Sequence, residues 1–239
     1  ELLESRGIDV KLVDARKVKN VSGRKTDVLD CQWLQQLHTY GLLSGAFRPN
    51  EQICALRAYM RQRGMLIQQA ASHIQHMQKA LSQMNLQLHN VLSDITGDTG
   101  IKIIRAIVAG ERNPKILASY RHRGCKNPVE VIEKSLTGHY RDEHIFSLTQ
   151  ALELYDTYRE KVAACDIEIE KLLSKFDERL NEKAEIENNN KKKKHKSHCK
   201  NALSFDVKAN LIRITGVDLT AIPGIEASTA LKKIGRAHV

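Results

Sequence analysis

The chain has 239 residues, 41% hydrophobic and 28% charged, enough to fill the core of one or two domains and keep the surface solvated. Its 38 Lys+Arg against 28 Asp+Glu leave a formal charge of +10, which favours a polyanionic partner such as nucleic acid or an anionic membrane surface. Four Pro and 5% aromatics argue against collagen-like, disulfide-stapled and all-β architectures. No apolar run approaches the roughly 20 residues that span a bilayer, and the charge at Glu1, Glu4, Arg6, Asp9 and Lys11 is unlike a signal peptide. An intracellular, mainly α protein is expected. The cysteines (Cys31, Cys54, Cys125, Cys165, Cys199) contain no CxxC pair and are read as reduced thiols.

In chain order, Ile8, Val10 and Leu12 alternate with polar neighbours as in a half-buried strand. A lone strand needs partners, so its sheet is expected to lie mostly outside this sequence. A basic loop follows with Arg16, Lys17, Lys19, Arg24 and Lys25. Thr26-Asp27-Val28-Leu29-Asp30 then opens a helix that should run to about Tyr40 and stop at Gly41. Val28, Cys31, Leu34 and Leu37 make its apolar face. From Ile53 to Val91 apolar residues recur at steps of three and four, broken at Arg63; a second such stripe runs from Ile145 to Leu180, broken at Arg159 and Asp166. Two heptad stripes in one chain bury each other most simply as a long antiparallel coiled coil. The glycines and prolines between them predict a small helical cap over 93–141. Asn188 to Phe205 holds Lys191, Lys192, Lys193, Lys194, Lys196 and Lys200 and no acid, the composition of a disordered basic linker. A new folded unit begins after it. The expected segments are therefore 1–50, 51–184 with its cap, 185–205 and 206–239.

Asp27 and Asp30 project from one helix face a turn apart and could share a divalent cation. Spacing alone favours the plainer role, in which acids at a helix start cap free N–H groups and oppose the macrodipole. A two-metal phosphodiester site needs further carboxylates. Arg24 and Lys25 could meet phosphate oxygens beside such a site, although a basic loop is more often only solvated. Leu219 to Ile225 is similar to a helix-hairpin-helix turn that binds phosphate through backbone N–H groups, yet Glu226 stands where a second Gly is usual, and a structural turn is as good a reading. His195, His198 and Cys199 lack a fourth metal ligand, and His73 and His76 read as surface or seam-edge residues.

Five stretches together resemble one family: Asp14 to Asn20, Gly23 to Asp30, His73 to Leu81, Ile103 to Arg112 and Gly216 to Thr220. The chain is similar to the DEDD-type insertion-sequence transposases, recombinases guided by a bridge RNA, with Gly23-Arg24-Lys25-Thr26-Asp27-Val28-Leu29-Asp30 the most specific part. The resemblance implies a RuvC-like, RNase H-type α/β domain of which 1–50 is the C-terminal remnant. It further implies a coiled-coil insertion that joins protomers and holds RNA, and the truncated start of a helical transposase domain. Asp27 and Asp30 match the last two acids of a Mg²⁺-binding quartet, so the resemblance reverses the capping reading. The other two acids are expected upstream of Glu1 and the nucleophilic serine beyond Val239, so an inactive internal fragment is expected. The closing Ile234 to Val239 departs from the family and looks like a translated adapter tail. Implied partners are DNA, guide RNA and further copies of the chain, with no membrane, in a bacterial cytoplasm close to the nucleoid. The competing class is a non-enzymatic coiled-coil nucleic-acid-binding protein, for which Asp27 and Asp30 would need no companion carboxylates.

Overall fold

Two helices of more than thirty residues each dominate the structure because their apolar stripes face one another. In the computed structural model, which describes residues 2–18, 26–46, 49–177 and 200–235, these are α3 (Glu51–Gln83) and α8 (Asp142–Leu173). They follow α1 (Ala15–Val18) and α2 (Asp27–Thr39), and four short helices lie between them: α4 (Leu88–Val91), α5 (Asp98–Val108), α6 (Pro114–Ser119) and α7 (Val129–Ser135). Helices α9 (Val207–Thr215) and α10 (Ala227–Gly235) follow α8.

Asn50 starts α3 by accepting a hydrogen bond from the Ile53 N–H at 2.9 Å, the usual use of a short polar side chain at an N-cap. The helix then buries Leu56, Leu66, Ala70, Met77, Ala80 and Leu81. Its partner α8 buries Leu148, Leu152, Tyr155, Val162, Ile169 and Leu173. The two run antiparallel: Leu56 shares a cluster with Leu173 at one end, while Met84 and Leu81 share one with Leu148 at the other. Both stripes therefore find their partner within one chain.

The first stripe does not stay helical to Val91, as its periodicity suggested. Helix α3 stops at Gln83, Asn85 takes a left-handed backbone (φ 58°), and Leu86 and Leu88 turn into the core of the cap. The cause is close packing: the His139 N–H donates to Met84 O at 2.9 Å, and a Cβ on Gly138 would stand 2.2 Å from that oxygen. The second stripe ends its helix at Leu173, where Arg213 donates to the carbonyls of Leu173 and Phe176. Residues 178–180 lie outside the described residues.

The strand expected around Ile8 to Val13 is not formed. Among the described residues the only β pairing is an isolated antiparallel bridge between Val13 and Gly45, supported by Ala46 N–H to Leu12 O at 2.7 Å. Ile8, Val10 and Leu12 are exposed, because one bridge offers the alternating side chains nothing to pack on. The described residues are thus mainly α, and the basic linker's residues 185–199 lie outside them. From Lys200 to Ser204 the chain is not a free linker, since it is hydrogen-bonded to the long hairpin.

At the open end of the hairpin, α9 and α10 cover Leu56, Ile169 and Leu173 with Val207, Leu211, Ala230 and Leu231. Asp206 caps α9 through the Ala209 N–H at 3.0 Å, and Gly216 ends it with φ 74°. No helix among the described residues is long and apolar enough to cross a membrane.

Candidate functional site

Helix α2 begins with the residues that carry the family resemblance. Thr26, in extended backbone, is its N-cap, and its hydroxyl accepts from the Leu29 N–H at 3.4 Å. That assigns the capping role to Thr26, leaving Asp27 and Asp30 inside the first turn with both side chains exposed. Two carboxylates one turn apart beside the positive helix end are free to take an external cation. They are hard oxygen donors suited to Mg²⁺, but two donors do not make a site. Among the described residues no group of three or more His, Cys, Asp or Glu could hold a metal. The described residues therefore bring Asp27 and Asp30 together without completing a metal centre.

Helix α2 also buries none of its residues. Trp33, Leu34 and Leu37 are half-buried, whereas Val28 and Cys31 of the expected apolar face are exposed. From Leu2 to Ala46 no described residue is buried, and Leu2, Leu12, Val28, Tyr40 and Leu42 are each more than half exposed.

Of the basic residues singled out, Lys19, Arg24 and Lys25 lie outside the described residues, as do Lys191, Lys192, Lys193, Lys194 and Lys196. Arg16 and Lys17 belong to α1, with side chains outside the description. The turn from Leu219 to Ile225 is a 3-10 turn over Leu219–Ala221 followed by left-handed Gly224. Asp218 accepts from the Thr220 N–H at 3.0 Å and pairs with Lys208 at 2.8 Å. Burial alone would push its carboxyl up, but the Lys208 and Thr220 hydrogen bonds prevail and hold it below the ordinary range.

His73 and His76 sit on the outer edge of the hairpin. The His73 ring stacks on Tyr158 with centroids 5.3 Å apart and meets His76 edge-on at 5.3 Å. Burial, with the His76 charge adding to it, lowers the His73 pKa. Cys31 and Cys54 are exposed, Cys125 and Cys165 half-buried, and all four are free thiols.

A feature that residue patterns did not reveal as a site is the polar notch in the hairpin. Arg63 and Asp166 are buried, 6% and 3% exposed, and form an ion pair. Arg159 lies nearby and donates to Asn201 and Lys200. The only sequence signal was that all three interrupt the apolar stripes. In the cap, a cleft of about 550 Å³ is lined by residues including His89, Asp98, His122 and Lys126.

No curated protein and no solved structure matches the chain. Residues 1–86, the stretch that carries Asp27, Asp30 and the whole of α3, match a family model of the DEDD IS110 type described as transposase, a likeness that supports a transposase.

Proposed function

We propose that the chain is part of a DNA transposase of a bacterial insertion sequence, one that cleaves and rejoins DNA strands under the direction of a guide RNA. The observation that carries this reading is the transposase match over residues 1–86, with Asp27 and Asp30 aligned on one exposed turn inside it. In this reading 1–50 is a remnant of a RuvC-like, RNase H-type domain, and Asp27 and Asp30 supply two ligands of a divalent-metal cluster, completed by carboxylates not among the described residues. Such a cluster, when loaded with Mg²⁺, stabilises charge on a reacting phosphodiester. Arg16, Lys17, Lys19, Arg24 and Lys25 lie close to these acids in sequence and meet the phosphate backbone, and the Lys191 to Lys196 run adds sequence-independent affinity. The α3–α8 hairpin joins protomers as a coiled coil.

On this reading the 239-residue chain supplies two acids of the cluster and no matched nucleophile, so it is proposed not to cut by itself. With Mg²⁺ and DNA it is expected to bind without cleavage. A version extended on both flanks along its reading frame should recombine DNA and lose that activity on Asp27→Asn or Asp30→Asn. Full activity in both variants overturns the metal assignment, and binding by an extended chain that never recombines DNA favours the non-enzymatic nucleic-acid-binding class instead.

A further inference from the structure

The polar notch departs from the rest of the hairpin core, which is apolar. Arg63 lies in the α3 face directed at α8 and Asp166 in the α8 face directed at α3, 103 residues away in sequence. A buried guanidinium has five N–H donors to place, more than one carboxylate can take. Part of the excess goes to the chain segment after the basic run: Arg63 Nη2 donates to the carbonyls of Asn201 and Ala202, each at 3.1 Å. Asp166 has a further acceptor oxygen, and the Ser204 N–H donates to its Oδ2 at 3.1 Å. Arg159 adds bonds to Asn201 Oδ1 and Lys200 O, both 3.2 Å. Lys200 reaches Asp94 at 3.0 Å and the Thr96 hydroxyl, with its ammonium 5.9 Å from the Tyr155 ring centroid.

Residues 200–204 therefore lie along the hairpin as a strap, from the level of Tyr155 to the level of Asp166. Four of its contacts are through main-chain groups of the strap, the carbonyls of Lys200, Asn201 and Ala202 and the Ser204 N–H, so the notch recognises backbone more than a side chain. Immediately after the strap come α9 and α10, held to the open end by apolar packing on Leu56, Ile169 and Leu173. Apolar contact is non-directional, and a helical groove with repeating apolar residues offers neighbouring registers of similar energy. A buried polar pair admits one.

We infer that Arg63, Asp166 and Arg159 form a docking notch for residues 200–204, which sets where the helical unit 207–235 sits along the hairpin and which opens without unfolding the hairpin. The interruptions of the two stripes are thereby explained as a receptor for the chain's own strap. Arg63 and Asp166 act as positioning residues. The inference concerns the hairpin and its strap and is independent of the transposase reading.

Amide hydrogen exchange on the whole chain tests it, with the double variant Arg63→Met/Asp166→Leu, which replaces the pair by apolar side chains of similar size. Exchange over 200–206 should quicken at least about tenfold, while 66–83 and 142–160 keep their protection. Arg159→Ala, at the edge of the notch, should loosen the strap enough to quicken exchange of the Ser204 N–H by a smaller factor and leaves the core untouched. Either single variant, Arg63→Met or Asp166→Leu, should melt below the double, because each leaves one buried charge without its counterpart. Unchanged protection of 200–206 in the double variant overturns the inference, since the flanking apolar contacts would then hold the strap. Equal loss of protection in strap and hairpin overturns it too, making the pair a stability element of the hairpin. If the double variant does not fold, the Arg159→Ala arm decides: no change at the Ser204 N–H, which is bonded to Asp166, refutes the notch.

Discussion

Thr26 separates two roles that Asp27 and Asp30 could each have filled. Because its hydroxyl already caps α2, the neighbouring acids contribute to the helix only through their charge near its positive end, a term of about 0.3–1 kcal/mol for exposed groups. Asp27→Asn and Asp30→Asn should therefore each lower stability by no more than about 1 kcal/mol in chemical denaturation, while the recombination proposed for an extended chain is lost. A much larger stability loss would show that the acids are structural. His73 gives a second residue-level expectation. Its Nδ1 is buried without a hydrogen-bond partner, and burial together with the His76 charge lowers its pKa. The folded state thus holds the neutral ring, and the unfolded chain binds the proton first. Stability should fall as pH drops through about 6.5, the unperturbed histidine value, down to the depressed folded value. His73→Phe keeps a ring against Tyr158, and thermal melts between pH 5 and 7.5 should show a shallower slope. An equally steep slope would place the titration elsewhere.

At the scale of elements, two glycines predict opposite outcomes. Gly64 lies inside α3 with open space where a Cβ would go, so Gly64→Ala should raise stability by about 0.5–1 kcal/mol. A Cβ on Gly138 would meet Met84 O at 2.2 Å, so Gly138→Ala must push the cap off the end of α3. It should cost about 1–3 kcal/mol or more, and calorimetry on both variants checks the pair. The same contact shows why part of the fold was not legible in the sequence. The stripe from Ile53 continues through Leu88 and Val91 on paper, because Met84, Leu88 and Val91 are apolar at steps of four and three. Nothing local reports that Gly138 will approach Met84 from far along the chain. The meeting of the two stripes was legible, since each repeats its period over thirty residues or so and neither could be buried alone. The strand at Ile8 to Val13 misled in the reverse sense: its alternation was real, but pairing is a property of two segments, and only Gly45 meets it. At the candidate site, the exposed pair Asp27 and Asp30 was legible as a motif. The notch was not, because Arg63, Arg159 and Asp166 read as flaws in a pattern until residues 200–204 lie across them.

For the whole molecule, burial and charge are distributed unevenly. No described residue before Leu56 is buried, whereas most of the core lies between Leu56 and Leu173. The lysines from 191 to 196 carry a concentrated part of the +10 charge. If they neutralise phosphates, changing Lys191, Lys192, Lys193, Lys194 and Lys196 to Gln should weaken DNA binding and flatten the slope of log affinity against log salt by up to about 0.9 per lysine. An unchanged slope in a filter-binding titration would reduce the run to a solubilising tether. The antiparallel hairpin also dictates an order of assembly. Leu81 and Leu148 flank the cap, so once it has collapsed they need close only a short remaining gap. Leu56 and Leu173 lie at the far end and are joined only through everything between them. Closing a loop costs entropy that grows with its length, so contacts should zip from the cap outward. Helices α9 and α10 have no surface to dock on until the first turns of α3 and the last turns of α8 have met. Folding of this chain would then be directional, beginning in its middle and finishing where α3 starts and α9 and α10 settle.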